Sequence, residues 1–379
     1  MKHYYLAVDL GAGEGTKIGF FVPSHGDSSN LISTPRMLRE TALATRDYGP
    51  DFSSYLDNLE QAIRAAMDID LPAENLRGIG IATAGILRSD GSFQLIQNLK
   101  HFNNCNLRLG LEQAFRRPAA IENDANAGAL AEWSILQTEL LYWVFGGGWG
   151  GAWVTRDGSI QHSARDWDGD DSSLHYSNEP GYAIPLDKIT LRGLFREVGG
   201  SYERFEQVLS EELGPESLNG PNSDPKSLRA ETLLSGPGRC RIFRALVGDD
   251  DFYERFLDIH ETRQMSDPAI AGKHISKLSS MRVEAALNTD RLYGKILAHG
   301  ARILIKQAET GGLPEGSPIC LGGKPSYALP YFGPSTQRIL GRFGLMNYLR
   351  PSVIDERGLN ANLVGAGVLA MKSIQENGE

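Results

Sequence analysis

Short apolar runs broken by glycine turns alternate with longer helical stretches along the 379-residue chain. Tyr4-Tyr5-Leu6-Ala7-Val8 is aromatic and β-branched and predicts a buried strand. After Asp9-Leu10-Gly11-Ala12-Gly13-Glu14-Gly15-Thr16-Lys17, the apolar run Ile18-Gly19-Phe20-Phe21-Val22 predicts an antiparallel return strand. Residues 51–67 have helical apolar spacing, residues 78–86 form a strand ending in Thr83-Ala84-Gly85, and residues 98–104 are polar and irregular. A strand over 118–121 runs into a helix over 125–136. Leu140 to Phe145, the turn Gly146-Gly147-Gly148-Trp149-Gly150-Gly151 and a strand over 152–155 make a second glycine hairpin, after which Asp157-Gly158 turns the chain again. Residues 239–309 are mostly helical, and 165–173 and 213–226 are solvated loops. A short strand over 318–321 enters a third glycine turn at Gly322-Gly323, and small residues over 363–370 suit a helix packed closely on a sheet.

The segment Ile121-Glu122-Asn123-Asp124-Ala125-Asn126-Ala127 places a carboxylate and two amides where strand gives way to helix. There the strand end and first helical turn fix the backbone while the side chain of a base would face a crevice. The same residues also suit capping of the helix's free N–H groups. The glycine hairpin tips let backbone N–H groups approach phosphate oxygens, since no Cβ obstructs them. The first is neither a Walker loop nor a dinucleotide fingerprint, because a strand rather than a helix follows. No internal repeat is visible, yet two such hairpins in similar positions of two halves suggest a duplicated fold clamping a nucleotide.

Composition narrows the class. The chain is long enough for two domains, and 41% hydrophobic with 22% charged residues is ordinary for a globular protein. A net charge of −9 without a basic run argues against a nucleic-acid surface. Three distant cysteines, Cys105, Cys240 and Cys320, suggest neither a disulfide framework nor a zinc site. No signal-peptide core and no membrane-length apolar stretch is present, so a cytoplasmic protein without membrane partners is expected. The aspartates of 165–173 lack the following glutamate that an EF-hand needs.

These ordered blocks resemble the glucokinase and ROK (repressor, ORF, kinase) sugar kinases of the actin/hexokinase/Hsp70 superfamily. Asp9-Leu10-Gly11…Gly15-Thr16-Lys17 resembles their first phosphate motif, and Gly146-Gly147-Gly148-Trp149-Gly150-Gly151 the second. Glu122-Asn123-Asp124-Ala125-Asn126-Ala127 is similar to the motif bearing their catalytic aspartate, and Leu321-Gly322-Gly323 to the adenosine motif. Glu231-Thr232-Leu233-Leu234-Ser235-Gly236-Pro237-Gly238 looks like a bacterial glucokinase segment whose leading glutamate contacts sugar.

The resemblance implies an α/β, two-domain actin/hexokinase-like (ribonuclease H-like) fold with mixed sheets and a nucleotide cleft between domains. The expected division is 1–134 plus 362–379 and 135–361. It implies ATP-dependent phosphorylation of a hexose, glucose or a close relative, with ATP and Mg²⁺ as cofactors and Asp124 as base. Asp9 would hold Mg²⁺ through water. Gly11, Gly15, Thr16, Gly146, Gly147 and Gly148 would cradle phosphates, with Gly322 and Gly323 against the adenosine. Asn98, Asn123, Glu179, Tyr182 and Glu231 are the expected sugar contacts. A homodimer is allowed for, and a sugar-binding regulator of the same fold with little or no turnover is the alternative.

The chain departs from the family pattern in three places. Ala12-Gly13-Glu14 lies inserted in the first loop, and Gly147 stands where the second loop usually has Thr. Glu179-Pro180-Gly181-Tyr182 stands where ROK proteins carry Glu-x-Gly-His, and no cysteine cluster follows. Loss of the histidine together with the cysteines implies a zinc-free protein.

Overall fold

The structure, a computed structural model, describes residues 3–11, 15–23, 34–67, 70–161, 166, 179–220, 223–248, 253, 255 and 268–376. The chain divides into two compact units. The first comprises Met1–Glu139, Ala152–Asp168 and Val353–Glu379; the second comprises Leu140–Gly151 and Gly169–Ser352.

The strands, in chain order, are β1 (Tyr4–Gly11), β2 (Gly15–Val22), β3 (Arg36–Leu43), β4 (Leu76–Thr83), β5 (Ile86–Leu87), β6 (Phe93–Leu95), β7 (Ala119–Asn123), β8 (Leu140–Phe145), β9 (Trp149–Val154), β10 (Ile160–Gln161), β11 (Pro185–Asp187), β12 (Ser227–Arg229), β13 (Pro318–Gly322) and β14 (Tyr348–Pro351). One five-stranded sheet has the order β3-β2-β1-β4-β7 and the other β10-β9-β8-β13-β14. In the first, β2 is antiparallel to β1 and β3, while β4 is parallel to β1 and β7. In the second, β13 is parallel to β8 and β14, and β10 is antiparallel to β9. The two sheets repeat one strand order. The duplication suggested by the two hairpins is therefore present as topology, where side-chain identities no longer show it.

In the first unit, strand alternation separates two kinds of packing. Tyr4, Leu6, Val8 and Leu10 of β1 join Ile79 and Ile81 of β4 in a core of large side chains, closed by the helices Phe52–Ala66 and Leu107–Phe115. Ala7 and Ala82 face the other way, toward the helices Asp124–Leu136 and Ala361–Glu376. Small residues let backbones meet on that side. A Cβ on Gly80 would lie 1.8 Å from the Ala366 carbonyl oxygen, and one on Gly365 would lie 1.8 Å from that of Ala127. The C-terminal helix thus packs as its small residues imply. Asp9 alternates onto this same face, two residues past Ala7, at the end of a buried strand.

Several boundaries differ from the sequence expectation. The strand expected over 78–86 stops at Thr83, because Gly85 takes a positive φ of 94° and a Cβ there would meet the Leu95 carbonyl oxygen at 2.3 Å. Trp149, Gly150 and Gly151 already belong to β9, which leaves Gly146–148 as the turn. The segment expected to be irregular near 98 contains a 3₁₀ stretch, Gln97–Phe102. Pro215–Leu218 forms a 3₁₀ turn inside the expected 213–226 loop. Residues 12–14, which include the inserted loop, lie outside the described residues, as does all of 165–173 except Asp166. Among the described residues, no helix is long and apolar enough to cross a membrane.

Candidate active site

β7 runs directly into the helix Asp124–Leu136, whose residues from Ala125 to Ser134 are buried on every side. Such a helix is fixed by its packing rather than by an amphipathic stripe. Asn123 is the N-cap: its Oδ1 accepts the Ala125 N–H at 2.8 Å and its Nδ2 donates to the Gly85 carbonyl at 3.1 Å. Asn123 is only 3% exposed. Both ends of its amide are thus engaged inside the protein, which gives Asn123 a structural role whatever else it contacts. The capping role that sequence left open between the two residues belongs mainly to Asn123. Asp124 Oδ1 also accepts the Ala125 N–H, at 2.8 Å.

Asp124 keeps partial access to solvent. Burial among protein atoms, and secondarily the negative charge of Asp9, push its carboxyl up to about 7, opposed by the hydrogen bond from the Ala125 N–H. Asp9 is 5% exposed and takes Asn360 Nδ2 on Oδ2 at 3.1 Å and Asn362 Nδ2 on Oδ1 at 3.4 Å. Lys17, its register partner across β1 and β2, places Nζ 4.0 Å from Asp9 Oδ2. Asn360 Oδ1 also accepts the Leu363 N–H at 3.0 Å, which ties the start of the C-terminal helix to Asp9. Beside them, Glu122 Oε2 accepts from Asn126 Nδ2 at 2.9 Å and from the Asn123 N–H at 3.3 Å.

Asn360 and Asn362 were not legible as site residues. Their only sequence signal is Asn at the start of a helix, which marks a cap.

At the first hairpin, Gly11 pairs with Gly15 to close the described strands. Gly15 has φ 87°, and a Cβ there would meet the Leu43 carbonyl oxygen at 2.5 Å, so β3 itself demands this glycine. Thr16 is fully buried, and its hydroxyl bonds Tyr48 and Tyr55, each at 3.0 Å. Its side chain therefore serves the interior. Asn98 falls in the Gln97–Phe102 stretch, and its side chain lies outside the described residues.

The second unit gathers a different set. Gly146 and Gly147 are exposed, and a Cβ on either would meet nothing within 4 Å. Nothing in the protein's own packing asks for glycine at these two positions, and the open space is what an approaching phosphate needs. Buried aromatics anchor the strands below: Phe145 stacks on Trp149 with centroids 5.8 Å apart, and Trp143 meets Trp149 edge-on at 5.5 Å. The Gly146 carbonyl accepts the Gly236 N–H at 2.8 Å, where Ser235 caps the helix Gly236–Val247.

Gly148 leads to Glu231. A Cβ on it would lie 2.9 Å from Glu231 Oε2, and a Cβ on Gly181 would lie 2.9 Å from Glu231 Cβ. Burial raises the Glu231 carboxyl above its ordinary value, with Arg229 and Arg241 opposing. Glu179 begins the short helix Pro180–Ala183. Within it the Tyr182 ring lies under the Arg229 guanidinium, 3.5 Å from its centroid, while Arg229 Nη1 donates to the Tyr182 carbonyl at 3.0 Å. Gly148 and Gly181, distant in sequence, thus both lie against Glu231.

Gly322 and Gly323 are explained by the sheet instead. A Cβ on Gly322 would strike the Tyr142 hydroxyl at 2.2 Å, and Gly323, at φ 82°, would strike the Phe145 carbonyl oxygen at 2.0 Å. Gly322 is buried, and close packing accounts for its lack of a side chain. Among the described residues, no group of three His, Cys, Asp or Glu side chains could hold a metal ion.

Residues 40–164, which include Asp124 and the second glycine turn, match the sequence model of the ROK family. The match covers 125 of the 379 residues. A search of curated proteins finds none that matches. Among solved structures, a ROK hexokinase from Thermus thermophilus is 20% identical, with a TM-score of 0.62 over 98% of this chain and 99% of that one. A ROK-family glucokinase from Streptomyces griseus, in complex with glucose and AMPPNP, is 19% identical, with a TM-score of 0.59 over 97% and 99%. A ROK-family transcriptional regulator, a homologue of the E. coli MLC protein, is 16% identical, with a TM-score of 0.61 over 99% of this chain and 82% of that one. At these identities the likeness establishes the fold, which is the actin/hexokinase-like fold of the ROK kinases.

Proposed function

We propose that this protein is a ROK-type sugar kinase, transferring a phosphoryl group from ATP to a hydroxyl of a hexose, glucose or a close relative, with Asp124 as general base. The observation that carries this reading is the setting of Asp124: at the start of a buried helix, its carboxyl pushed up to about 7 beside Asp9. A sugar hydroxyl is a poor nucleophile, and a base whose pKa lies near the working pH combines availability with driving force. The ROK kinases of the same fold, one of them holding glucose and AMPPNP, add support.

The residues present suit the cofactors. The open Gly146–Gly147 tip leaves room for phosphates, and Gly11 and Gly15 close the other glycine turn. Asp9 would hold Mg²⁺ through water, its carboxylate oriented by the Asn360 and Asn362 amides. Bound there, MgATP supplies the phosphoryl group and offsets its charge. Asn360 and Asn362 hold the Asp9 carboxylate in one orientation, and Asn123 fixes the backbone from which Asp124 takes the hydroxyl proton. Glu179, Tyr182 and Glu231 would bind sugar hydroxyls, with Gly148 leaving space for the Glu231 carboxylate.

One observation favours a second reading, a sugar-binding regulator. Gly147 offers no hydroxyl where the family's second loop usually has Thr, and a ROK regulator shares the fold. A coupled ADP-release screen over hexoses and amino sugars separates the two. Sugar-dependent release supports the kinase, whereas sugar binding without release supports the regulator.

A further inference from the structure

Tyr48 lies outside the first hairpin, between the 3₁₀ turn Thr45–Asp47 and the helix Phe52–Ala66. Its phenol donates to the Gly11 carbonyl at 2.6 Å and accepts from Thr16 Oγ1 at 3.0 Å. Thr16 Oγ1 in turn lies 3.0 Å from the Tyr55 hydroxyl. With Thr16 donating to Tyr48, Tyr55 is left as the donor to Thr16. Three buried hydroxyls then form one directed chain that ends on the Gly11 backbone.

The surroundings are apolar. Tyr48 packs on Tyr55 with centroids 4.9 Å apart and on Phe102 at 6.3 Å, and Phe52 meets Tyr55 and Phe102. Phenylalanine would fill such a core without the desolvation cost of a hydroxyl. What the hydroxyls add is a grip on both flanks of the glycine turn. Gly11 ends β1, Gly15 begins β2 as its register partner, and Thr16 follows. Burial, aided by the Asp9 charge and opposed by the Thr16 hydrogen bond, raises the Tyr48 phenol above its ordinary value, so it remains a donor at any working pH.

We propose that Tyr48 is a positioning residue for nucleotide binding, setting the spacing between Gly11 and Thr16 at the first phosphate turn. This rests on the kinase reading above. In this proposal the two hydroxyls act through Gly11 and Thr16, the flanks of the turn.

The test is Tyr48→Phe, which removes one oxygen and keeps the ring packing. Calorimetric titration with Mg·AMPPNP should show affinity weakened roughly 3–10-fold, the worth of about one hydrogen bond. KM for the hexose should be unchanged while KM for ATP rises. Thr16→Val should weaken AMPPNP binding to a similar degree, and the double variant should be little worse than either single one, because the two hydroxyls work in series. Parent-like nucleotide affinity in Tyr48→Phe, with or without a lower Tm, would overturn the proposal and leave Tyr48 a packing residue. If the parent itself binds no AMPPNP, the kinase reading falls and this inference falls with it.

Discussion

The negative charge of Asp9, at the end of β1, adds to burial in raising the carboxyl of Asp124, the first residue of the helix that follows β7. If Asp124 is the base, activity should rise with pH through about 7, as its carboxyl gives up its proton.

Asp9→Asn removes the like charge and should lower the Asp124 pKa. Carboxyl ¹³C titration by NMR reads this directly, without requiring turnover. An unchanged Asp124 midpoint would show that burial alone sets the value.

The same shift sets a stability trend. The folded carboxyl binds its proton up to about pH 7, while the unfolded one releases it near 3.8. The folded state therefore holds more protons between these values, and stability from this group is lost as pH rises through the window. Asp124→Asn escapes that loss, and Asn123 remains to cap the helix. The Tm advantage of Asp124→Asn over the parent should therefore be larger at pH 8 than at pH 4, by roughly 2–4 °C for about 1 kcal/mol. An advantage independent of pH would mean that the carboxyl is not held up by the fold.

Gly148→Ala should fold, because its Cβ meets only the mobile end of Glu231, at 2.9 Å. The displaced carboxylate should raise the hexose KM about 3–10-fold, the worth of roughly one hydrogen bond. Steady-state kinetics with each substrate varied in turn checks the split. A parent-like hexose KM would remove Glu231 from the sugar contacts.

Gly365→Ala tests the fold beneath the site. The added Cβ would lie 1.8 Å from the Ala127 carbonyl oxygen, and backbone cannot swing aside as a side-chain end can. Urea unfolding should show a loss of about 2–3 kcal/mol, at the upper end of ordinary overpacking. A parent-like midpoint would contradict the close packing of the two helices.

How much of this could be read from sequence depended on where the partners lay. The setting of Asp124 is local: an apolar strand, an amide and a helix follow one another within a dozen residues, and the chain folds as that order implies. The glycine turns were legible for the same reason, although the cause of each glycine was not. Gly146 and Gly147 face open space, whereas Gly15, Gly322 and Gly323 are dictated by neighbouring backbone or by the Tyr142 phenol. The grip on Asp9 comes from Asn360, 351 residues away, and no local pattern announces it. Thr16 and Asn123 matched motif positions, yet their side chains turn inward to hydrogen-bond partners that only the folded chain supplies.

Sugar-dependent ADP release by the parent and by Asp124→Asn, measured side by side on the hexose panel at pH 8, is the most direct measurement. The account requires release by the parent with at least one hexose, and a fall of roughly 10²–10⁴-fold in the variant, the usual worth of a positioned base, with sugar affinity retained. Equal turnover in the two proteins, or no release by the parent with any sugar, would contradict it.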